Sequence, residues 1–575
     1  MSYFLKTTNK INGKYLQIYD SSWDNSKGAR VSKCIETLGY EEALIKKGIS
    51  DPTSYYQSKC KEMNQERNNK KKYKKIEKIS SENNRINIGS FLVYNFFKTI
   101  NLNNELLLEA TTFNHNYPID KIFLDLVACR IIEPTSKLKS YVDALPTIYN
   151  RHNYTLDNVY QTLDDFGSEY KDIIQIINHS LSHKYKADTS HVFFDCTNFY
   201  FEIDREDEIR KKGPSKENRR DPIIGLGLLL DKNCMPIGMK LYPGNQSEKP
   251  IQRELINESK RSGNITGKTI VVADKGLNCA RNIHQAIENK DGYIYSKSIL
   301  QLSEKDRSWI FLDNDRYPES AYKRTYDNNN EVIFKIKSRI DEFKYKYEIN
   351  NNGKKEIIEF VSKEKRVVYY SKELHDKKVY EINKIKSKLN DLILSKAKKE
   401  EYGIYGSYVT IESNKKDLKV KINEERINME LQCAGYNMII TSEFKENSKE
   451  IYNVYHQLWR IEETFRIMKT DLNARPVYLQ KENRIYGHFL VCYLAVVTIR
   501  FLQFVLFKNM DVKSNDIISF IQNTEVIKLD DNDYFNISKK TEFMNIVNEV
   551  TNTVCDIKYY DKKMLNKMFD SKLKI

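Results

Sequence analysis

The sequence predicts an α/β protein whose mixed-sheet core is interrupted by a β-rich insertion, with a small β unit and a helical region ahead of it. Three observations carry this. Between residues 186 and 300, apolar and β-branched runs alternate with helical stretches. A further amphipathic helix, EIYNVYHQLWRIEETFRIMKTDL, follows only after residues 301–445, which mix strands with charged helix. The 575 residues and 67.9 kDa also exceed what one core closes, at roughly 150 residues per domain.

In chain order, residues 1–55 alternate and turn as a β unit (KYLQIYDSS, ARVSKCIETLGY). Residues 56–87 form a basic linker in which Lys70, Lys71, Lys72, Lys74, Lys75 and Lys78 are interleaved with Asn and Glu. Such a stretch is either a solvated linker or helix face, or an arm that contacts phosphates. Residues 88–185 read as helices, among them FLDLVACRII and NVYQTLDDFGSEYKDIIQIINHSL. In the first part of the core, 186–300, HVFFDCTNFYFE reads as one strand. IIGLGLLLD and PIGMKLYPG are the next two, across a turn at Asp231-Lys232-Asn233. KPIQRELINESKRS is helical, KTIVVADKG a buried strand, NCARNIHQAIEN helical and GYIYSKS a strand. The insertion, 301–445, holds short strands (GIYGSYVTIE, YNMIITSE) and helix around Lys384–Glu401. The core resumes over 446–510 with the amphipathic helix and an apolar run from Phe489 to Phe507. Arg500 and Gln503 interrupt that run, and an Arg at the centre of a membrane span costs about 2.5–3.5 kcal/mol, so it reads as a core helix. Residues 511–575 read as a C-terminal helical region.

Composition excludes several classes. Few Pro (11) and Gly (20), with 40% hydrophobic residues, rule out collagenous, mucin-like and wholly disordered chains. The nine cysteines are scattered with no C-x-x-C pair, against a zinc knuckle and for a reduced cytoplasm. MSYFLKTTNK has no apolar signal core. The net charge of +15 suits a polyanionic partner, although a merely solvated surface shows the same excess.

Three decoys fall on their own geometry. Gly267-Lys268-Thr269 resembles the end of a phosphate loop, but the earlier glycine would fall at Ser262 and the stretch enters a strand instead of leaving one. Gly225 to Gly227 lies inside a strand without the third glycine of a dinucleotide fingerprint. His179 and His183 have the i, i+4 spacing of a metal pair, but no glutamate lies between them, so a surface helix is the expectation.

Carboxylates on the right elements remain. Asp195 sits mid-strand, where a charge is costly unless it binds something, and Asp274 ends the apolar run IVVA at the carboxyl end of a strand. With a glutamate from the downstream helix, three converging acids repel one another unless cations neutralise them, and oxygen-only ligands suit Mg²⁺ or Mn²⁺.

The order Asp195, Asp274, Glu462 on strand, strand and helix resembles the DDE transposases of bacterial insertion sequences. YHQLWRIEETFRIMK looks like the signature of the insertion-sequence-four superfamily: Tyr, two residues, Arg, three residues, Glu, six residues, Lys. Tyr455, Glu462 and Lys469 fit, while Leu458 occupies the arginine position. FFDCTNFYFE, YPGNQSEKP, VVADKGLN and YNMIITSE are similar to the branch with a β-rich insertion. The resemblance implies an RNase H-like core and two Mg²⁺ (or Mn²⁺) ions held by Asp195, Asp274 and Glu462. It also implies phosphate contacts by Tyr455 and Lys469, to which Arg466 and Lys275 are added as weaker candidates. The implied partner is double-stranded DNA, both transposon ends and target, with a homodimer forming on it and no membrane. Residues 88–185 are then the candidate end-binding region. Trp459 either stacks on a base or packs against the insertion. A metal-dependent nuclease that does not join ends, and an inactive DNA-binding descendant, are the alternatives.

The helical period selects between adjacent glutamates. At about 100° per residue, Val454, Leu458, Ile461, Phe465, Met468 and Leu472 define one buried face. Glu462 falls roughly 85° from its centre, with Tyr455, Lys469 and Arg466 on the same border. Glu463 falls about 185° away, where solvent is expected, and Arg460 lies on the other flank.

Overall fold

The computed structural model describes residues 2–24, 29–72, 84–217, 219–314, 321–351, 354–395, 399–414 and 417–575. It divides into two compact units, Met1–Asn83 and Asn84–Ile575.

In the first unit, strands β1 (Ser2–Lys10), β2 (Gly13–Asp24) and β3 (Ala29–Tyr40) form an antiparallel sheet, followed by α1 (Glu41–Lys46) and α2 (Pro52–Lys72). Among its described residues, Leu16, Ile18, Leu44 and Cys60 are buried and apolar. Asn64 of α2 fixes the helix to β1 by accepting from the Tyr3 backbone N–H and donating to the Tyr3 carbonyl, both at 2.7 Å. Lys70, Lys71 and Lys72 therefore end a helix. Lys74, Lys75 and Lys78 lie outside the described residues.

The second unit begins with β4 (Arg85–Asn87) and the helices α3 (Phe91–Thr99), α4 (Leu102–Ala110), α5 (Ile119–Ile132), α6 (Lys137–Lys139), α7 (Leu156–Ser168) and α8 (Tyr170–Ser182). The sheet segment contains β5 (His191–Tyr200), β6 (Ile223–Asp231), β7 (Pro236–Pro243), α9 (Glu248–Arg261), β8 (Ile270–Ala273), α10 (Ala280–Glu288) and β9 (Gly292–Lys297). Next come α11 (Glu304–Phe311), β10 (Lys323–Tyr326), β11 (Val332–Asn351), β12 (Lys354–Ser371), α12 (Lys372–Leu394), β13 (Val409–Asn414), β14 (Asp417–Ile422), α13 (Glu424–Gln432) and β15 (Tyr436–Thr441). The chain closes with α14 (Ser448–His456), α15 (Trp459–Arg466), α16 (Glu482–Phe501), α17 (Ser514–Asn523), β16 (Glu525–Lys528), β17 (Asp533–Asn536), α18 (Glu542–Thr551), β18 (Tyr559–Asp561) and α19 (Lys562–Phe569). The C-terminal region, expected to be helical, thus also carries three short strands.

The fold is mixed α/β. Nine strands make one sheet in the order β10-β11-β12-β15-β9-β8-β5-β6-β7. β5 pairs in parallel with β8, and β8 with β9; the other pairings in this sheet are antiparallel. The insertion does not stand apart from this sheet. Its strands β10, β11, β12 and β15 continue the sheet outward from β9. β11 and β12 are 20 and 18 residues long, where short strands were expected. Charges at roughly every second position of β11 hide a strand whose far half runs past the β12–β15 pairing, with one face packed on α10 through Tyr347 and Phe360.

The two sheet faces bury different side chains, because successive strand residues point opposite ways. Phe193, Phe199 and Val272 face one core with α14, α15 and α16, whereas Val192, Phe194, Val271 and Ala273 face the other. The Phe489–Phe507 run is indeed interior: α16 is buried from Gly487 to Phe501 and packs against α5 and α7. Gly167 of α7 and Gly487 of α16 allow that approach, since a Cβ at either would strike backbone of the partner helix.

The downstream helix is not continuous. α14 stops at His456, Gln457 and Leu458 turn, α15 restarts at Trp459, and residues Ile467–Asp471 form a π turn. The apolar stripe runs through this break, so periodicity alone does not reveal it.

Candidate active site

Asp195 is the fifth residue of β5, and Asp274 follows the last residue of β8. These strands are parallel neighbours with Phe193 opposite Val272, and the same offset brings Asp274 level with Asp195. Both aspartates belong to the face that carries Phe193 and Val272, the one covered by α14–α16. The backbone N–H of Cys196 donates to Asp195 Oδ1 at 2.7 Å. Burial pushes the Asp195 carboxyl up to about 6; Lys216 and that N–H pull it down, and Glu248 and Asp274 push it up. Asp274 is more open and accepts from Ser296 Oγ at 2.8 Å and from the Tyr455 hydroxyl at 3.0 Å.

Tyr455, on the last turn of α14, thus points at the acidic pair. Burial raises its phenol above the usual range, and Asp274 adds to this. Lys469 lies over the Phe199 ring at 5.4 Å and donates to Glu217 Oε1 at 3.3 Å. Burial lowers its ammonium to about 8, Lys216 pulls the same way, and Asp195 opposes them. Lys275 is exposed beside Asp274, at a cleft of about 440 Å³ also lined by Lys297, Lys377, Lys378 and Tyr455. Arg466 is exposed and pairs with Asp471 at 3.1 Å. Trp459 is 57% exposed, with the Arg460 guanidinium 5.8 Å from its ring centre.

Glu462 lies on α15, which packs against β5 and buries Ile461, Thr464 and Phe465. It is exposed and makes no hydrogen bond or ion pair with the described residues. The expectation for Glu463 is overturned. Glu463 is half-buried, and its Oε2 accepts from Nη2 of Arg500 at 3.0 Å. Arg500, fully buried on α16, also donates to Thr464 Oγ1 at 2.8 Å, to the Arg460 carbonyl at 3.3 Å and to Gln503 Oε1 at 2.8 Å. Two layers cover α15, the sheet on one side and α16 on another, so the flank read as solvent is a second interface. Glu462 leaves the helix on the flank that α16 does not cover.

Two participants were missed. Lys216 bonds the Cys196 carbonyl and lies 3.8 Å from Asp195 Oδ1 and 3.7 Å from Glu248 Oε1. Glu248 opens α9 and stands within YPGNQSEKP, a stretch noted for its resemblance but not for its carboxylate. Neither follows from spacing, since Lys216 comes from an irregular loop and Glu248 from a helix start on the other side of β7. A second ring of charge joins Glu217 to Lys469 and Arg475.

The site therefore gathers oxygen donors whose mutual repulsion one lysine only partly relieves. A half-buried aspartate held at about 6, with two further carboxylates pushing it up, fits hard divalent cations.

The family described as a transposase DDE domain matches residues 186–498, more than half of the sequence. This chain belongs to that family. The DDE transposase match runs from just before β5 into α16 and so contains Asp195, Lys216, Glu248, Asp274, Tyr455, Glu462 and Lys469, while Arg500 lies just beyond it. None of the curated proteins matches the chain. One solved structure similar to it is described as a cryo-EM structure of the piggyBac transposase synaptic complex with hairpin DNA. It has 9% sequence identity, a TM-score of 0.36, and coverage of 76% of this chain and 80% of that one.

Proposed function

We propose that this DDE transposase cuts the DNA at the terminal inverted repeats of a bacterial insertion sequence and joins the freed 3′ ends to target DNA. Asp195, Asp274 and Glu462 are its catalytic acids. The observation that carries this reading is the pair of level aspartates on adjacent parallel strands, facing the helix that bears Glu462. The half-sheet β7-β6-β5-β8-β9, antiparallel on one side of β5 and parallel on the other, supports an RNase H-like core. YHQLWRIEETFRIMK supports the insertion-sequence-four branch.

Bound among these acids, two Mg²⁺ or Mn²⁺ ions would supply Lewis-acid stabilisation to the attacking and leaving oxygens. The chain's own residues do the rest. The Cys196 N–H holds the Asp195 carboxylate, and Ser296 and Tyr455 hold that of Asp274. Lys216 balances the charge of Asp195 and Glu248 until cations arrive. The lysine-lined cleft beside Asp274 takes a DNA strand, with Tyr455, Lys469, Arg466 and Lys275 as phosphate contacts. In the first step a water oxygen bonds to phosphorus, the P–O3′ bond breaks, and the 3′ oxygen leaves as a hydroxyl. In the second, that 3′ oxygen loses its proton and bonds to a target phosphorus, the target P–O3′ bond breaks, and the departing O3′ takes up a proton to leave as a hydroxyl. The protein acts in the cytoplasm, as a homodimer on its DNA, with residues 88–185 engaging the ends.

The test uses duplexes carrying the sequences that flank the gene. Wild type with Mg²⁺ should nick these ends and join a pre-cut end to plasmid, and Asp195→Ala or Asp274→Ala should bind the ends without cutting. Cleavage with no joined product would make the protein a nuclease. Folded aspartate variants that cut normally would remove the assignment.

A further inference from the structure

The histidine pair that looked like an ordinary surface helix acquires a third partner in the fold. His179 lies in the last turn of α8 and His183 caps it, one helical turn on, so both side chains leave the same face. Their rings lie 5.0 Å apart at 73°. Glu105, from α4, brings its carboxylate to the same point: one donor atom from each of the three residues lies within 4.8 Å of the others. α4 packs on α8, so the backbone already holds this approach. No glutamate lies between the histidines in sequence; one arrives instead from a separate helix.

We propose that Glu105, His179 and His183 bind one divalent transition-metal ion of the zinc class. Two imidazoles and a carboxylate form a donor set that suits Zn²⁺ and disfavours Mg²⁺. Bonds of about 2.0–2.2 Å in a tetrahedral shell place ligand atoms about 3.4 Å apart. Rotation of the side chains closes the remaining gap, because both histidines are exposed and Glu105 is only half-buried. The fourth position opens on a cleft of about 600 Å³ lined by Glu105, Asn178, His179, Ser182, Tyr185 and Lys186, where water completes the shell. The ion clips α4 to α8. α8 is itself tied to the sheet edge, since Asn178 Nδ2 donates to the Ile237 carbonyl of β7 at 2.8 Å. The clip therefore fastens the first helices of the unit to the sheet through one short path. The site shares no residue with the acidic centre, so it stands or falls independently of the proposed function.

Full-length protein stripped with a chelator is titrated with ZnCl₂ alone, in excess Mg²⁺ to occupy oxygen-only sites, and its thermal unfolding is followed. One Zn²⁺ should bind per chain and raise the unfolding temperature. His179→Gln and His183→Gln should each weaken binding by about a hundredfold or more, beyond the 10–100-fold typical of outer-shell partners, and abolish the thermal shift. Glu105→Gln, which keeps size and exposure, guards against misfolding and should weaken binding as well. Asp195→Asn with Asp274→Asn should leave Zn²⁺ uptake intact. Co²⁺ substitution should give tetrahedral ligand-field bands that vanish in the histidine variants. No Zn²⁺ uptake in excess Mg²⁺, or equal affinity in wild type and all three variants, would overturn the proposal.

Discussion

At the scale of single residues, Glu462 and Glu463 show how neighbouring identical side chains take unrelated roles. Glu462 is free of the described residues, whereas Glu463 neutralises a guanidinium with no exposed surface. Breaking a buried ion pair by removing one partner is strongly destabilising. Glu463→Ala should therefore lower the unfolding free energy by about 2–4 kcal/mol, discounted for the partial exposure of Glu463. Glu462→Gln should leave stability unchanged and eliminate cleavage. Denaturant titration and an end-cleavage assay on both variants separate the roles; equal stability losses would refute the division. Asp125 gives a second test. It is 3% exposed and accepts from the Tyr94 and Tyr154 hydroxyls at 2.7 and 2.9 Å. Burial nevertheless raises its carboxyl from 3.8 to about 6. A raised folded-state value means this contribution is fully present below about pH 4 and is lost as pH rises through about 6, a swing of about 3 kcal/mol. Asp125→Asn should remove that swing, so the variant gains on wild type between acid and neutral pH. A pH-independent difference between the two would contradict it.

At the scale of elements, what was legible depended on whether an element's surroundings are uniform along its length. β5 to β9 announce themselves because each is a short apolar run buried on both faces and ended by turn residues. The break between α14 and α15 left no trace, because Leu458 stays on the apolar stripe while the backbone turns beneath it. The same break, and the packing of α16 behind α15, made a single helical projection misplace Glu463. The histidine pair looked inert because Glu105 lies far away in sequence and joins it only when α4 meets α8. β11 and β12 mix both regimes. Only Lys365 to Tyr370 of β12 pair with β15, while the ladder with β11 continues out to Asn351 and Lys354. The outermost part of the hairpin is thus held by one partner. Replacing residues 349–356 with a two-residue turn should change stability by no more than about 0.5 kcal/mol, since Asn350 and Lys354 to Glu356 are exposed. A loss of several kcal/mol on denaturant titration would show that the tip is structural.

At the scale of the whole molecule, two compact units imply two thermal transitions. Residues 84–575 produced alone should unfold cooperatively with the same midpoint as the larger transition of the full chain; a shifted or absent transition would show that the units fold as one. The net charge of +15 makes DNA affinity a matter of counterion release. Affinity should fall with salt at a log–log slope of about −0.9 per phosphate contact. Removing residues 1–83 should flatten that slope if Lys70, Lys71, Lys72, Lys74 and Lys75 reach phosphates. An unchanged slope assigns the contacts to residues 84–575.

The small sheet β18-β17-β16-β4 joins Arg85–Asn87 to Glu525–Lys528, so the first strand of the larger unit hydrogen-bonds to one made some 440 residues later. α5 and α7 likewise wait for α16. A ribosome adding roughly 5–20 residues per second takes on the order of a minute to bridge that interval. For that time the early helices have synthesised sequence but no finished core to enter. A transcript broken between the codons for Glu462 and those for α16 yields a chain that carries Asp195, Asp274 and Glu462 yet lacks the elements that enclose its fold. Such a product is material for proteases, and only a message read through to its last helices delivers a working protein.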